Sequence, residues 1–187
     1  MTKFLLGRKL GMTTVHDETK GALNVTLIEC VPNKVSLIRN EKKDGYNAVQ
    51  LEIDKTENKK LKREFRIEKE MEIKVGDEIK IDIFELGDEV TVGGINKAKG
   101  FQGVVKRHGF HGSDKTHGHK HDWRAPGSIG STFPEHVIKG KKMAGRMGGK
   151  RVSVKNLKIA YLDKEKNIIG LRGSVPGVNG RIIEIRG

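Results

Sequence analysis

Aromatic side chains are scarce in this sequence: Phe, Trp and Tyr together make up 5% of its 187 residues. Proteins that hold single strands mainly by stacking bases need aromatic platforms, so this scarcity argues against stacking as the main source of nucleic-acid affinity. The single cysteine, Cys30, excludes an internal disulfide and fits a reducing compartment. Its apolar neighbours predict that it is a buried small hydrophobic side chain.

Long hydrophobic runs are also missing. No stretch approaches the roughly 18 apolar residues of a membrane-spanning helix, so a membrane partner is not expected. Met1 leads into the strand-like Phe4-Leu5-Leu6 without a targeting segment. We therefore expect a cytoplasmic protein.

Positive charge is present in excess, and it is concentrated in one segment. Residues 97–151 hold 13 Lys or Arg against three acidic residues, which is +10 of the formal +13 of the chain. The same segment contains 11 of the 24 glycines and six of the seven histidines. Such a segment is suited to lie against a polyanion. We predict a discontinuous body of residues 1–96 and 152–187, and a basic, largely irregular extension of residues 97–151 that binds nucleic acid.

Outside that segment, apolar and polar residues alternate in short runs separated by turn residues. Period-two alternation is typical of half-buried strands. About eight to ten such strands with few helical patterns predict an all-β body, a small antiparallel barrel built as a meander around one core. The alternating runs are Val25/Leu27, Val35/Leu37, Val49/Leu51/Ile53, Ile79/Ile81/Ile83, Leu157/Ile159/Tyr161, 168–171 and Ile183/Ile185.

Residues 55–72 do not fit either period. Leu61 and Phe65 are four apart, as on a helix, whereas Phe65 and Ile67 alternate, as on a strand. The run is highly charged, and we interpret it as a solvated connection.

Two acid-free runs dominate the basic segment, at 100–110 and 139–151. Their glycines allow the backbone to approach phosphate, and their cations can neutralise it. The second run resembles a P-loop only superficially, because Ala144 stands at the first required glycine and Arg151 at the required hydroxyl residue. We therefore predict no nucleotide hydrolysis, no catalytic residue, no cofactor and no small-molecule substrate.

The histidines of the basic segment raise a metal hypothesis. A His-x-His-x-His pattern at His117, His119 and His121 would place three imidazoles on one face of a strand. Few carboxylates lie near them in sequence to support a metal site. We favour imidazoles packed on ribose and phosphate, predict no metal, and keep a metal-dependent hydrolase as an alternative. Trp123 can stack on a base or cover a local apolar patch, and the sequence does not separate these roles.

Seven motifs spread along nearly the whole chain form a recognisable set, at 7–13, 44–46, 100–110, 116–118, 126–130, 139–148 and 175–177. Together they resemble the family of the universal large-subunit ribosomal protein number three, in its short bacterial form. The resemblance implies a translation-protein-type β-barrel and an extension that threads through ribosomal RNA toward the peptidyl transferase centre. It also implies an early role in subunit assembly near the 3′ end of the large RNA.

Family resemblance and charge together predict the RNA-binding residues. The end of the extension nearest the peptidyl transferase centre is expected at Met143, Ala144, Gly145, Arg146, Met147 and Gly148. Arg146 stands where some bacterial relatives carry a methylated glutamine, so a cation would meet RNA there. The predicted RNA contacts are Lys97, Lys99, Lys106, Arg107, His108, His111, His117, His119, Trp123, Arg124, Lys139, Lys141, Lys142, Arg146, Lys150 and Arg151.

The sequence thus predicts a non-enzymatic structural protein of the large ribosomal subunit, with ribosomal RNA and neighbouring ribosomal proteins as partners. A free-standing RNA-binding assembly factor is the alternative outside the ribosome.

Overall fold

A computed structural model of the chain describes residues 3–17, 21–56, 58–67 and 73–187. They form two compact units, which we name the body and the arm. The body comprises the described residues up to Asn96 together with Arg151–Gly187, and the arm is Lys97–Lys150. The boundary drawn from charge differs by one residue, because Arg151 is paired in a strand of the body. Among the described residues, no helix has the length and apolar character needed to cross a membrane.

Strands make up most of the body, whereas the arm is largely irregular, and the helices of both units are short. The two α-helices are α1 (Glu41–Asp44) and α2 (Val104–His108), and Ile81–Ile83 form a turn of 3₁₀ helix. The strands are β1 (Phe4–Asp17), β2 (Gly21–Glu29), β3 (Asn33–Arg39), β4 (Ala48–Thr56), β5 (Lys59–Arg66), β6 (Glu78–Ile79), β7 (Glu89–Ile95), β8 (Gly100–Gln102), β9 (Gly145–Met147), β10 (Arg151–Asp163), β11 (Ile168–Arg172) and β12 (Ile182–Arg186).

Six strands of the body close into an antiparallel barrel in the order β1-β12-β7-β10-β11-β2. The all-β, antiparallel barrel prediction is therefore confirmed. The predicted meander order is wrong. Strand β12 lies between β1 and β7, so strands that are distant in sequence are neighbours in the barrel. Closure leaves no open edge in this sheet. Its interior includes Leu5, Ile28, Val92, Ile159, Ile169, Leu171, Ile183 and Ile185.

A second sheet of the body has the order β5-β4-β3-β6 and its own apolar cluster. The prediction of one core was wrong, and β1 shows why. Successive side chains of a strand point to opposite faces. Leu5 contributes to the barrel interior, whereas Phe4 and Leu6 contribute to the cluster under the second sheet. A strand that is apolar on both faces supports two cores.

Strand β5 corrects the interpretation of residues 55–72 as a solvated connection. It pairs with β4 along its length, with Phe65 opposite Val49, and the Phe65 ring is buried. The charged side chains of this strand conceal it in the sequence, and one of them, Lys60, pairs with Glu52 of β4 at 2.6 Å. Residue 57 and residues 68–72 of this prediction lie outside the described residues.

The alternating run at Ile79, Ile81 and Ile83 is only partly a strand. Ile79 ends β6, which pairs with β3, and the chain then turns into the 3₁₀ helix. The alternating isoleucines still reach apolar surroundings, because Ile81 is buried in the barrel cluster and Ile79 and Ile83 pack against it. The spacing correctly predicted that these side chains face the core, but it did not predict the 3₁₀ conformation of the backbone.

Cys30 is fully buried in the barrel cluster, as predicted. Burial, with a smaller contribution from the neighbouring Glu29 charge, raises the pKa of its thiol. A thiol of this kind is a packing group and a poor nucleophile.

Gly7 of β1 permits a close approach between strands of the barrel. A Cβ atom at this position would lie 2.5 Å from Ile28 Cγ2 and 2.8 Å from Cys30 Sγ, both buried. We expect Gly7→Ala to lower the free energy of unfolding by about 1–3 kcal/mol, the usual cost of overpacking. Gly11→Ala, in the same strand, is the control, because its Cβ would approach only Asn179 Nδ2, at 3.8 Å. Equal urea midpoints for the two variants would contradict the packing described here.

Candidate nucleic-acid interface

The arm has almost no apolar interior. It carries 12 Lys or Arg and three acidic residues, and the structure describes every one of its residues. Val104 is the one buried hydrophobic residue of this unit. A hydrophobic core cannot stabilise a segment of this composition, and the contacts within the arm are mainly backbone turns and polar bonds.

The two ends of the arm in sequence are paired with each other. Strand β8 pairs with β9, so that Gly100 lies opposite Met147 and Phe101 opposite Arg146. The Lys99 N–H donates to the Met147 carbonyl at 2.9 Å. Gly148 has φ +75°, and a Cβ there would fall on the Lys97 carbonyl oxygen. The segment 143–148, expected at the tip of the extension, is thus paired through residues 145–148 with the first residues of the arm. Its nearness to the peptidyl transferase centre stays a prediction.

Two side chains of helix α2 contact the backbone at Met143, just before β9. Arg107 Nη1 donates to the Met143 carbonyl at 2.6 Å, and His108 Nε2 lies 3.0 Å from the same oxygen. The helix ends at Gly109, which adopts the left-handed conformation with φ 74°. Arg107 and His108, both predicted RNA contacts, are therefore half-buried and partly engaged within the arm.

The histidine-rich stretch folds back on itself around Trp123. The Ser113 N–H donates to the Trp123 carbonyl at 3.1 Å, and the indole N–H donates to the His119 carbonyl. His119 Nδ1 lies 3.1 Å from Asp122 Oδ2, and this hydrogen bond lowers the pKa of the Asp122 carboxyl. The Trp123 ring remains 43% exposed. The loop is held by polar contacts and leaves its tryptophan at the surface.

The histidine side chains of this fully described stretch do not come together as a metal site. Within the described parts of the chain, no three His, Cys, Asp or Glu side chains are grouped so that they could hold a metal ion. His117 has a left-handed backbone, with φ 58°, which breaks the strand that His117, His119 and His121 would need in order to share a face.

Most of the predicted RNA contacts are exposed on the arm. Arg107 and His108 are the half-buried members of the set, as described above. The exposed members of the arm are Lys97, Lys99, Lys106, His111, His117, His119, Trp123, Arg124, Lys139, Lys141, Lys142, Arg146 and Lys150.

Arg151, predicted as an RNA contact, belongs to the body. Its guanidinium pairs with Glu184, a buried residue of β12. Arg63 Nε lies 3.2 Å from the same carboxylate, and Arg186 Nη2 lies 3.6 Å from it. Glu184 therefore balances positive charge where β10 begins, and contact between Arg151 and RNA stays a prediction.

Exposed aromatic rings of the arm were missed by the sequence analysis. Phe101 is 76% exposed and Phe133 82% exposed. Phe101 is the cross-strand partner of Arg146, which places a ring beside a cation on one face of the β8–β9 pair. The sequence signal for these exposed rings was a large apolar residue among glycines and cations. It was overlooked because the aromatic content of the whole chain is low. The composition of the whole chain did not reveal these two exposed rings.

A family model described as ribosomal protein L3 matches residues 41–167, which include the whole arm. The chain belongs to the ribosomal protein L3 family. The large ribosomal subunit protein uL3 of Thioalkalivibrio sulfidiphilus is 43% identical over 203 aligned residues, which cover 97% of this chain and 95% of that protein. The uL3 protein of Bacillus cytotoxicus is 40% identical over 205 residues, 100% of this chain and 97% of that protein.

A third relative, the uL3 protein of Bacillus thuringiensis, is 42% identical over 205 residues with the same coverage of both chains. The family resemblance predicted from the motifs is thus confirmed. The alignments with these relatives run through body and arm alike.

Proposed function

We propose that this protein is a structural constituent of the large ribosomal subunit, in which the arm lies against ribosomal RNA. Membership of the L3 family supports this role, and the relatives named above are large-subunit proteins. The observation that carries the proposal is the arm itself, a unit of Lys97–Lys150 with 12 cations, three acids and one buried hydrophobic residue.

The physical role of RNA is to supply the surface that the arm lacks. Phosphates neutralise the exposed cations, and release of their counterions provides affinity. Glycines with left-handed backbone, such as Gly112, Gly118, Gly127 and Gly140, let the arm follow an irregular surface without side chains in the way. The guanidinium groups of Arg124 and Arg146 can each bridge a phosphate or stack on a base.

Two further assignments concern the position of the protein in the subunit and the stage of assembly at which it binds. We assign Met143, Arg146 and the residues around them to the region nearest the peptidyl transferase centre, and the whole protein to early assembly near the 3′ end of the large RNA. Family resemblance supports both assignments. Neighbouring ribosomal proteins are further partners, the location is the cytoplasmic ribosome, and the role is structural rather than enzymatic.

Salt dependence of RNA binding tests the electrostatic part of the proposal. If about eight arm cations contact phosphates, log K for large-subunit RNA should fall against log salt with a slope of about −7. The double variant Lys141→Gln/Lys142→Gln should make the slope shallower by about 2, since each lost phosphate contact removes about 0.9. The charge-preserving variant Lys141→Arg/Lys142→Arg is the control and should keep the slope. A slope near zero for the unmodified chain would contradict the proposal.

Salt-washed subunits separate this role from a free-standing assembly factor. A structural constituent should remain with mature large subunits through a high-salt wash and sediment with them. Recovery of the protein only in immature particles, with complete loss from washed mature subunits, would favour the assembly factor instead.

A further inference from the structure

A cavity of about 420 Å³ opens in the arm between residues 109–113 and residues 125–127. Its volume lies within the roughly 300–1,000 Å³ of ligand sites in proteins. Phe110, His111, Ser113 and Pro126 contribute side chains to its lining, and the other lining residues are glycines and Ala125. The walls are therefore aromatic, apolar and backbone, with one hydroxyl and one imidazole.

Glycines keep this cavity open. Gly109, Gly112 and Gly127 all have left-handed backbones, with φ of 74°, 79° and 76°. A Cβ atom at Gly109 or Gly127 would meet nothing within 4 Å, so the space beside these residues is empty. At Gly112 a Cβ would fall on the Trp123 carbonyl oxygen, so a side chain there is incompatible with the fold of the loop.

The two walls are fixed by hydrogen bonds and by packing of the aromatic ring. The Ser113 N–H bonds to the Trp123 carbonyl at 3.1 Å, and the Ala125 N–H bonds to the Asp122 carbonyl at 3.0 Å. The Phe110 ring is half-buried and lies 6.0 Å from the His108 ring, tilted by 44°. These contacts hold the lining in place from both sides.

Charge around the cavity differs from charge within it. Lys106, Lys115 and Arg124 flank the lining segments in sequence and are exposed. The lining itself contains no lysine, arginine or carboxylate. A phosphate would find neutralising partners outside the cavity, whereas an uncharged, flat, polar-edged group fits its interior.

We propose that this cavity receives one unstacked nucleobase of an RNA strand whose phosphates are bound by the surrounding cations. Proteins that recognise unpaired RNA commonly stack a splayed base on an aromatic side chain and hydrogen-bond its edge. Phe110 and Pro126 provide the stacking surfaces, and the Ser113 hydroxyl provides an edge contact. This assignment rests on the proposed RNA-binding function, because an RNA strand must deliver the base.

Filling the cavity tests the assignment in the full-length chain. Ala125→Phe places a ring in the space and keeps the backbone N–H that bonds to Asp122, and Ser131→Phe, at an exposed site of the same arm, is the matched control. We expect Ala125→Phe to weaken binding to a large-subunit RNA transcript by about 5- to 150-fold, the range for loss of one stacked base. The salt slope should not change, since no phosphate contact is removed. Ser131→Phe should bind as the unmodified chain does.

A second variant distinguishes loss of the base site from misfolding of the loop in Ala125→Phe. Phe110→Leu keeps apolar bulk but removes the ring face, and it should weaken binding in the same direction with the same salt slope. Ultraviolet crosslinking should join Phe110 to an unpaired nucleotide of the transcript. Unchanged affinity for both variants, or crosslinks confined to paired nucleotides, would overturn the base site while leaving salt-dependent RNA binding intact. Saturation of the cavity by adenosine monophosphate at micromolar concentration would overturn its assignment to an RNA strand.

Discussion

Replacing Lys97–Lys150 by a single glycine is expected to leave a folded body that has lost most of its affinity for ribosomal RNA. Ile95 and Arg151 are cross-strand partners in the β7–β10 pair, so the chain leaves and re-enters the body across one pair of residues. The new sequence Ile95-Asn96-Gly-Arg151 contains an Asn-Gly turn, which suits a two-residue hairpin loop. Both apolar clusters consist of body residues, so they survive the deletion.

Loss of the arm removes 12 of the 37 cations of the chain and only three of its 24 acidic residues. We expect affinity for a large-subunit RNA transcript to fall by about 10³-fold or more at moderate salt, the margin that separates specific from non-specific binding. Filter binding measures the affinity, and urea unfolding of the same sample measures the fold. Non-cooperative unfolding would contradict an independently folded body, and retained affinity would contradict the role of the arm.

Phe65→Ala is expected to lower the free energy of unfolding of the body by about 3–5 kcal/mol, the usual cost of truncating a buried phenylalanine. The Phe65 ring is 1% exposed and stacks on Phe4 of β1, with centroids 5.0 Å apart and planes 15° apart. The Arg186 guanidinium lies 5.0 Å from the same ring. Phe65 thus joins the second sheet to strands of the barrel, and its loss affects both.

Phe101→Ala is the matched control, because the same truncation is made at a ring that is 76% exposed on the arm. Exposed substitutions of this kind usually change stability by less than about 0.5 kcal/mol. Chemical denaturation of both variants compares the two sites. Similar stabilities for Phe65→Ala and Phe101→Ala would show that residues 59–66 are the solvated connection suggested by their sequence and not a strand over a core.

Strands with clear alternation were predictable from sequence, since half-burial imposes a period of two on the residues themselves. Val49, Leu51 and Ile53 of β4 are all buried, and Ile183 and Ile185 of β12 are both fully buried. The local pattern of apolar residues is sufficient to predict a strand that faces one core.

Strand order, the second core and β5 were not predictable in the same way, because each depends on contacts between distant residues. The Lys-rich sequence of β5 is typical of an edge strand, where charge discourages further pairing. Its acidic partner Glu52 lies on β4, and the Lys60 hydrogen bond to this residue lowers the pKa of the Glu52 carboxyl. A charged strand becomes recognisable only once its neighbour is known.

The candidate interface, like the fold, was only partly predictable from the sequence. Charge concentration located the arm, since counting residues requires no structure. The pairing of β8 with β9, the bond from Arg107 to the Met143 carbonyl and the cavity beside Phe110 all join residues more than ten positions apart. Sequence therefore predicted which residues carry the charge, but not how some of them are used to hold the arm together.

Amide hydrogen exchange of the arm, with and without large-subunit ribosomal RNA, tests the central claim most directly. Segments with few buried apolar contacts open at low free energy, so amides of residues 112–144 should exchange rapidly in the free protein. In the complex with RNA the same amides should become strongly protected, while those of the barrel strands remain protected in both states. Equal protection of the arm with and without RNA would contradict the claim that RNA supplies the surface against which this unit is ordered.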